Sequence, residues 1–288
     1  MRCEAPNEYE RLVEGRSSMF VRTDERPMLQ QNGFVRFRDF MTCPRGEVVN
    51  AHHGREVVRM ELNGEGGPRT VFLKRFGPVD RKDALKDLLC FRRVRTKALA
   101  EFDMLCAFAE AALAVPGALA CGERHLMGRD RASFLMVEGL ASGRPLDEVL
   151  SGLSDSGRRR RLISSLAVFV RRMHNAGLTH ADLFAKHLFV EESRVGTWSV
   201  AVIDLQRAER RSSLSRRRRG RDLAALLVSL PPDVTTPRER LTFLLEYLQK
   251  SRLDRKDRAF VRRAVLPRAR KFSRRTVYRS WQPILEHM

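Results

Sequence analysis

Short alternating runs of apolar and polar residues dominate the first half of the chain. Three of these runs are rich in β-branched and aromatic residues and are separated by turn-forming stretches around Gly54 and Gly66. They predict three consecutive antiparallel strands at Glu47–Ala51, Arg55–Leu62 and Thr70–Phe76. Residues 1–46 show little periodicity, so we predict an irregular lead-in there, with one short strand around Gly33–Phe40.

Apolar residues recur at helical spacing beyond the third predicted strand. Within Arg81–Ala114, the residues Leu99, Phe102, Leu105 and Phe108 define one apolar face. The same kind of pattern predicts helices at Pro145–Leu153, Arg158–Asn175, Arg221–Leu230, Arg238–Gln249 and Arg255–Leu266. Strand-like runs lie between these segments at Leu119–Gly122, Phe134–Val137 and Trp198–Leu205.

The order of these elements predicts the architecture. Strands come first and helices dominate afterwards, and such segregation along a chain is typical of an α+β fold built from two lobes. We place the boundary in the Gly- and Ser-containing link near Leu140–Arg144. The predicted domains are therefore a small N-terminal lobe over 47–140, with an antiparallel sheet and one helix, and a larger, mostly helical C-terminal lobe over 141–288.

Positive charge is the second prominent feature of the sequence. Lys and Arg number 55 against 35 Asp and Glu, which gives a formal net charge of +20, and 47 of the 55 cations are Arg. Such an excess favours an anionic partner, whether nucleic acid, acidic lipid or a phosphorylated small molecule. With 43% hydrophobic residues the chain also has enough apolar side chains for a packed core.

Two carboxylates mark a candidate catalytic centre. Asp182 lies in Thr179-His180-Ala181-Asp182-Leu183, after an amphipathic helix, and Asp204 ends a strand-like run 22 residues later. Kinase-like phosphotransferases build their active site from these elements. One carboxylate accepts or orients the proton of the acceptor hydroxyl, and the other holds the metal that bridges the nucleotide phosphates. Asp182 suits the first role and Asp204 the second.

A Lys and a Glu upstream complete this pattern. Lys74 ends the third predicted strand, where such enzymes place the Lys that contacts the nucleotide phosphates. Glu101 lies 27 residues later on the first long helix, so we expect the two side chains to form an ion pair. Each of the four residues has an ordinary structural explanation when taken alone, but their order and spacing together favour a kinase-like fold.

These residues and their neighbours carry a resemblance to the lipopolysaccharide core kinase family, the Kdo and heptose (WaaP-type) kinases, over Glu47 to Leu230. The matching segments are Phe72-Leu73-Lys74, Ala100-Glu101-Phe102, Ser133–Glu138, His174-Asn175-Ala176-Gly177, His180–Leu183, His187, Val202–Ala208 and Gly220–Leu223. The resemblance implies a protein-kinase-like fold with ATP and Mg²⁺ as cofactors. It also implies an ATP-dependent phosphotransferase whose acceptor is a heptose or Kdo hydroxyl of the lipopolysaccharide inner core at the membrane surface.

By this resemblance the N-terminal lobe would bind the nucleotide. Lys74 would contact the α- and β-phosphates with Glu101 as its partner, and the backbone from Glu138 to Leu140 would bond the adenine. The Gly-x-Gly-x-x-Gly loop of protein kinases is absent, and the equivalent turn is Asn50-Ala51-His52-His53-Gly54-Arg55. Gly54 and the backbone N–H groups of that turn would cover the phosphates. A metal site at the two adjacent His residues is disfavoured, because neighbouring side chains of a strand point to opposite faces.

The C-terminal lobe would carry catalysis, with Asp182 as the base and Asp204 as the main Mg²⁺ ligand. His187 stands where a protein kinase has a metal-binding Asn. Because Mg²⁺ prefers oxygen ligands, His187 either acts at the metal site through water or a phosphate, or only shapes the loop. His180 would support the catalytic loop, and Asp222 would hold the backbone of that loop from the following helix.

Eight Arg residues lie between Arg207 and Arg221, where kinases receive their acceptor. We expect Arg207, Arg210 and Arg211 to bind the acceptor, because guanidinium groups match the phosphates and carboxylates of an inner-core saccharide. The alternative is a solvated, mobile loop. A second basic stretch, Arg262–Arg279, is interleaved with aromatic residues and suits an anionic membrane surface. No nucleic-acid-binding motif accompanies the charge, so nucleic acid is not the expected partner.

Two other functions stay open at the level of the sequence. One is a small-molecule or protein phosphotransferase of the same fold, and the other is a catalytically silent kinase-like binding module. The presence of Lys74, Glu101, Asp182 and Asp204 argues against a catalytically silent module. His187 and the absence of a Gly-rich loop leave that alternative open. Without a signal peptide or an apolar stretch of membrane-spanning length, we expect a cytoplasmic chain that is attached by charge to the inner face of the cytoplasmic membrane.

Overall fold

The computed structural model describes residues 8–52, 54–77, 96–126, 130–140, 142–275 and 280–281. The chain divides by its internal contacts into two compact units. The first unit consists of 1–106 and 116–141, and the second consists of 107–115 and 142–288. Both units contain helices and antiparallel strands, as expected for an α+β protein.

A seven-stranded antiparallel sheet forms the centre of the first unit. Its strands are β1 (Tyr9–Glu14), β2 (Ser17–Arg22), β3 (Glu47–His52), β4 (Arg55–Gly64), β5 (Gly67–Phe76), β6 (Ala118–Leu126) and β7 (Asp130–Glu138). They are arranged in the order β1-β2-β6-β7-β5-β4-β3. The helices described in this unit are α1 (Arg26–Gln31), α2 (Phe37–Thr42) and α3 (Lys97–Glu110), whose last turn belongs to the second unit.

The three consecutive strands predicted from the alternating pattern are present as β3, β4 and β5. On β5, Val71 and Leu73 are fully buried in the core, whereas Phe72 and Lys74 alternate with them on the other face. Lys74 pairs across the sheet with Val57 of β4 and Leu135 of β7. The predicted helix Arg81–Ala114 is observed from Lys97 to Glu110, and its part over 81–95 lies outside the described residues.

The irregular lead-in predicted for residues 1–46 is wrong for residues 9–42. Strands β1 and β2 extend the sheet, and β2 pairs with β6, which lies about a hundred residues away in the sequence. The strand predicted near Gly33–Phe40 is also wrong, because Phe34, Phe37 and Phe40 are buried at the three-residue spacing of a helix. Phe40 stacks on Phe134 of β7 at 4.1 Å between ring centroids. The sheet unit therefore extends beyond the predicted 47–140 towards the N-terminus.

Helices dominate the second unit. They are α4 (Leu146–Gly152), α5 (Ser156–Asn175), α6 (Arg216–Ser229), α7 (Pro237–Leu248), α8 (Arg255–Phe260) and α9 (Leu266–Ser273), with a π-helical turn at Val261–Val265. A three-stranded sheet, in the order β11-β10-β8, is formed by β8 (Arg144–Pro145), β10 (Leu188–Glu192) and β11 (Trp198–Val202). Two short strands, β9 (Leu178–Thr179) and β12 (Glu209–Arg210), pair with each other.

Local sequence explains where the main helices of this unit begin. The Asp155 side chain accepts a hydrogen bond from the backbone N–H of Arg158 and caps α5. Ser215 caps α6 in the same way, so that helix begins at Arg216 and not at Arg221 as predicted. The C-terminal part of the expected Arg-rich loop, from Arg216 to Arg221, is therefore helical. No helix in the described part of the chain is long and apolar enough to cross a membrane.

Candidate active site

An ion pair between Lys74 and Glu101 lies in the first unit. Lys74 Nζ is 2.5 Å from Glu101 Oε1, and the exposed fractions of the two side chains are 12% and 1%. The pairing follows from the sequence pattern, because β5 turns Lys74 away from the core face that holds Val71 and Leu73. A buried charge is stable only with a partner, so each side chain fixes the position of the other. The predicted ion pair is present.

Glu138 is the last residue of β7, and Leu140 lies two residues beyond it in the same unit. The backbone N–H of Glu138 donates to Gly117 at 2.8 Å, and that of Gly139 donates to Thr70 at 2.8 Å. Because these two N–H groups are committed to the sheet, an adenine donor from this segment would have to come from Leu140.

The Glu138 carboxylate belongs to a network that sequence reasoning missed. It forms ion pairs with Arg22 and Arg69, and both guanidinium groups also bond Glu25. Although burial acts in the opposite direction, Glu138, Asp24 and Glu25 raise the pKa of Arg22. Strand β2, which carries Arg22, had not been predicted, so no local signal could place this cation beside β7. The network holds the backbone near Glu138 through its side chain.

Gly54 forms the turn between β3 and β4. Its φ of +72° is in the left-handed region that favours glycine, and its carbonyl accepts the N–H of Gly77 at 2.8 Å. A Cβ on Gly77 would lie 3.6 Å from the Cα of Gly54, which shows how closely the two backbones approach. His52 is exposed at the end of β3, and His53 lies outside the described residues. The turn is thus a short hairpin that is held by a backbone hydrogen bond to Gly77 and has no glycine-rich sequence.

The loop that carries Asp182 lies in the second unit, directly after β9. Ala181 adopts a φ of +67°, which is strained for a residue with a side chain. The fully buried Asp222 of α6 accepts the N–H of His180 at 3.0 Å and that of Ala181 at 2.9 Å. Two hydrogen bonds to one carboxylate hold the strained loop in place, which is the role expected for Asp222.

Two further buried side chains, His174 and Tyr247, support Asp222 through hydrogen bonds. His174 at the end of α5 donates from Nε2 to Asp222 at 3.2 Å, and its Nδ1 accepts from the Tyr247 hydroxyl at 2.8 Å. Burial raises the pKa of Tyr247, so its hydroxyl keeps the proton that this arrangement needs. Sequence reasoning matched His174 to the family pattern but did not identify Tyr247. A lone Tyr on an amphipathic helix carries no local signal of this contact.

His180 connects the Asp182 loop to the strand that ends at Asp204. Its Nε2–H donates to the carbonyl of Ile203 at 2.9 Å, and its Nδ1 accepts the N–H of Asp182 at 3.3 Å. Asp204 follows Ile203 with a φ of +62°, so the chain turns sharply and β11 ends before it. One imidazole therefore joins the backbone at Asp182 to the backbone at Ile203, next to Asp204, as the expected supporting role of His180 requires.

His187 lies between the two carboxylate-bearing segments. Its Nδ1 donates to the carbonyl oxygen of Asp182 at 2.9 Å, and its Nε2 is 3.9 Å from Oδ2 of Asp204. Burial lowers the pKa of His187, which favours the neutral ring with the proton on Nδ1. The lone pair of Nε2 then faces the Asp204 carboxylate. The structure thus places His187 close to Asp204, the residue expected to be the main Mg²⁺ ligand.

The Asp182 carboxylate contacts two guanidinium groups. Arg207 Nη1 lies 2.8 Å from Oδ2 and 3.1 Å from Oδ1, and Arg221 Nη2 lies 3.6 Å from Oδ1. Arg207 follows β11 in a 3₁₀ turn, and Arg221 comes from the second turn of α6. One of the three predicted acceptor-binding residues is thus in direct contact with the predicted catalytic residue.

The other two predicted acceptor-binding residues pair with acidic side chains elsewhere in the second unit. Arg210 Nη1 is 2.7 Å from Glu110, and Arg211 Nη2 is 2.9 Å from Glu209. Glu209 also pairs with Arg218 at 3.1 Å. Three guanidinium groups of the Arg-rich segment thus form ion pairs with two carboxylates. The structure does not bring Arg210 or Arg211 to Asp182.

The fold and these two groups of residues define a phosphotransferase of the protein-kinase-like class. A Lys–Glu ion pair lies on the sheet unit, and a His-x-Asp loop tied to a strand-ending Asp lies on the helical unit. The chain belongs to the lipopolysaccharide kinase (Kdo/WaaP) family, whose model matches residues 43–247. The family resemblance noted in the sequence and the kinase activity that it implied are therefore confirmed.

Individual relatives agree with this assignment. The chain is similar to the lipopolysaccharide core heptose(I) kinase WaaP of Escherichia coli K12, at 29% identity over 209 residues, 70% of this chain and 77% of the relative. It is also 29% identical over 213 residues to WaaP of Pseudomonas aeruginosa, covering 72% of this chain and 78% of that protein. Among solved structures, WaaP in complex with acyl carrier protein matches 92% of this chain and 98% of its own, with a TM-score of 0.65 and 25% identity. This likeness confirms the kinase-like α+β fold.

Proposed function

We propose that this protein transfers the γ-phosphoryl group of ATP to a heptose hydroxyl of the lipopolysaccharide inner core. The relatives named above are heptose(I) kinases, and this supports heptose over Kdo as the acceptor sugar. The observation that carries the proposal is the geometry around Asp182. Its loop is held by Asp222 and by His180, and His180 also bonds the residue before Asp204. Such fixed positions are what phosphoryl transfer requires of a protein.

In this proposal the first unit binds the nucleotide. Lys74, held by Glu101, contacts the α- and β-phosphates, and the turn at Gly54 covers them. The segment from Glu138 to Leu140 bonds the adenine through Leu140 N–H. The buried ion pair supports the assignment, because a Lys that ended a strand only by chance would be solvated and unpaired.

The second unit supplies the acceptor side of the reaction. Asp182 accepts the proton of the acceptor hydroxyl while the oxygen attacks the γ-phosphorus, and ADP leaves with the β-phosphate oxygen. No covalent enzyme intermediate is formed. Arg207 neutralises the Asp182 carboxylate and keeps it oriented until the acceptor hydroxyl takes that place.

Asp204 and His187 fit a magnesium–nucleotide site. No group of three or more His, Cys, Asp or Glu side chains gathers among the described residues in a metal-binding arrangement. Mg²⁺ needs no such cage, because it binds through one or two carboxylates together with phosphate oxygens and water. Asp204 would hold the ion directly and His187 through a water molecule. The bound ion would neutralise the charge that develops on the transferred phosphoryl group.

A basic surface of the second unit supports binding to an anionic membrane. Arg252, Arg255, Arg258 and Arg262 are exposed and line a depression of about 600 Å³, with Asp254 as the acidic residue among them. Attraction of such a patch to acidic lipid falls as salt rises. Sedimentation with phosphatidylglycerol vesicles should therefore retain the protein at low salt and release it at high salt. Binding to phosphatidylcholine vesicles with equal strength would contradict the proposal.

Acyl carrier protein is a second candidate partner, because the solved relative was bound to it. The second unit contains an apolar cavity of about 500 Å³ lined by α6 and α7, among other elements, and Leu241 lies half-exposed at it. An acyl chain fits such a space. Leu241→Glu should weaken co-elution with acyl carrier protein, whereas Val195→Glu at an exposed site should not. Equal co-elution of both variants would contradict this partner.

The activity itself is tested with γ-labelled ATP, Mg²⁺ and dephosphorylated lipopolysaccharide. We expect label in the saccharide, and we expect it to disappear in Asp182→Asn and Asp204→Asn. The matched control is Asp233→Asn, since Asp233 is exposed. Label on protein instead of saccharide would favour a protein phosphotransferase, and no transfer to any acceptor would favour a catalytically silent module. Either result would overturn the proposal.

A further inference from the structure

Four charged side chains of the first unit form ion pairs with one another at the end of β7. We call this set the Glu138 network, and its members are Arg22, Arg69, Glu25 and Glu138. Arg69 Nη1 lies 2.9 and 2.8 Å from the two carboxylate oxygens of Glu25, and its Nη2 contacts Oε1 of Glu138. Arg22 Nη2 also bonds Glu25 and lies 3.4 Å from Glu138. Each cation therefore bridges the same two carboxylates.

The N-terminal segment supplies two members of the Glu138 network. Arg22 ends β2, and Glu25 lies in the short 3₁₀ turn that follows it. Both precede residues 43–247, which the family model matches. Glu25 is buried, and a buried carboxylate keeps its charge only with cationic partners such as these. The N-terminal segment thus contributes half of the charges that meet at the end of β7.

The network and the backbone hold Glu138 at the same place. The Glu138 carboxylate packs against Gly117, where a Cβ would clash with Oε2 of that carboxylate. The carbonyl of Gly117 also accepts the Glu138 N–H at 2.8 Å, and Thr70 accepts the N–H of Gly139 at 2.8 Å. Side chain and main chain are therefore both fixed two residues before Leu140.

We infer that the Glu138 network positions the backbone N–H of Leu140 and thereby sets the affinity of the protein for the adenine base. The inference rests on the proposed function, in which the segment from Glu138 to Leu140 binds adenine. A donor that is already fixed binds more tightly, because the cost of ordering a mobile segment is subtracted from the binding free energy. The cations and Glu25 are positioning residues, since they act on the base through Glu138.

The test compares ATP with adenosine, which has the base but no phosphates. Dissociation constants for both ligands are measured by titration calorimetry on the full chain and on Arg69→Gln and Glu25→Gln. Arg36→Gln is the matched control, because Arg36 forms an exposed ion pair with Glu14 in the same unit. Glu101→Gln is the reference for a change that acts on the phosphates.

The expected results differ between the two ligands. Arg69→Gln and Glu25→Gln should weaken binding of ATP and of adenosine by the same factor, about tenfold, as expected for one misplaced hydrogen bond. Glu101→Gln should weaken binding of ATP alone, because the Lys–Glu pair acts on phosphates that adenosine lacks. Arg36→Gln should leave both dissociation constants unchanged.

Gly117→Ala disturbs the Glu138 network without removing a charge. The added Cβ would displace the Glu138 carboxylate, so affinity for adenosine should fall as it does in Arg69→Gln. Melting curves show whether each variant is folded at the assay temperature. At saturating ATP, kcat should stay within about twofold of the unsubstituted value, because a change in ligand affinity alone raises KM and not the barrier of the bound complex.

Unchanged affinity for adenosine in folded Arg69→Gln and Gly117→Ala would overturn the inference. A loss of ATP affinity without a loss of adenosine affinity would also overturn it, because the network would then act on the phosphates. Failure of the proposed function gives a different result. In that case the unsubstituted chain phosphorylates no acceptor, whereas adenosine binding is measured without any acceptor. An unsubstituted chain that bound neither ligand would overturn both.

Discussion

Replacing Asp222 with Asn tests how the catalytic loop is held. Oδ1 accepts the N–H of Ala181 at 2.9 Å, and Oδ2 accepts the N–H of His180 at 3.0 Å and Nε2–H of His174 at 3.2 Å. An amide side chain has a single oxygen, so in its better orientation it keeps the two bonds of Oδ2. Its NH₂ group then faces the N–H of Ala181, donor against donor.

The magnitude follows from these contacts. Loss of one hydrogen bond to a charged acceptor corresponds to about 1.5–3 kcal/mol, and a buried N–H left without an acceptor costs about 1–3 kcal/mol. The two figures overlap, since both describe the same N–H, so we expect the free energy of unfolding to fall by about 2–4 kcal/mol. At roughly 2–4 °C per kcal/mol for chains of a few hundred residues, the melting temperature should fall by about 5–15 °C.

Calorimetry of the purified protein gives the melting temperature, and steady-state kinetics give the activity. We expect kcat to fall by about 100-fold as well, because the displaced loop carries Asp182 out of alignment. Asp233→Asn makes the same chemical change at an exposed position and should leave both quantities unchanged. If Asp222→Asn kept the melting temperature and the kcat of the unsubstituted protein, the loop would not depend on this carboxylate and our reasoning would be refuted.

Three further predictions concern other parts of the molecule. Glu101→Gln leaves the buried Lys74 charge without a partner, so kcat/KM for ATP should fall by about 100-fold; an unchanged value would contradict the proposed role of the ion pair. Chelation by EDTA should abolish phosphoryl transfer, and Mg²⁺ should restore it in the unsubstituted chain but not in Asp204→Asn; equal rescue of both would argue against Asp204 as the ligand. Gly177→Ala places a Cβ 2.1 Å from a backbone carbonyl oxygen at a φ of +76°, so urea unfolding should show a loss of more than about 2 kcal/mol, whereas Gly15→Ala in open space should cost about 1 kcal/mol.

The sequence predicted the elements whose residues repeat with a regular period. Buried positions alternate with less buried ones along much of β4 and β5, and α5 buries Leu162, Leu166, Phe169 and Met173 at steps of three and four. The N-terminal strands were missed because β1 is largely polar and has no fully buried residue, and its stability comes from pairing with β2. The helix at Phe37–Thr42 has a usable signal in the sequence, the three-residue spacing of Phe34, Phe37 and Phe40, which favours a helix over the predicted strand.

The candidate site was also only partly predictable from the sequence. Lys74, Glu101, Asp182 and Asp204 could be selected by residue type, order and spacing, because a chemical requirement ties each to a particular kind of element. The partners of the Arg-rich segment could not be selected in this way. Arg207, Arg210 and Arg211 are near neighbours in the sequence, yet one contacts Asp182 and the others contact Glu110 and Glu209.

The sequence by itself determined the fold class, the family and the candidate residues for the reaction, since these depend on local periodicity and on side-chain chemistry. Tertiary structure alone decided the sheet order, the protonated nitrogen of His187 and the contact of both Arg207 and Arg221 with Asp182. Each of the latter depends on which groups meet across long stretches of chain. Hydrogen bonds and charge–charge contacts act over a few ångströms, so their partners are set by the packing of the whole unit and not by the neighbouring residues.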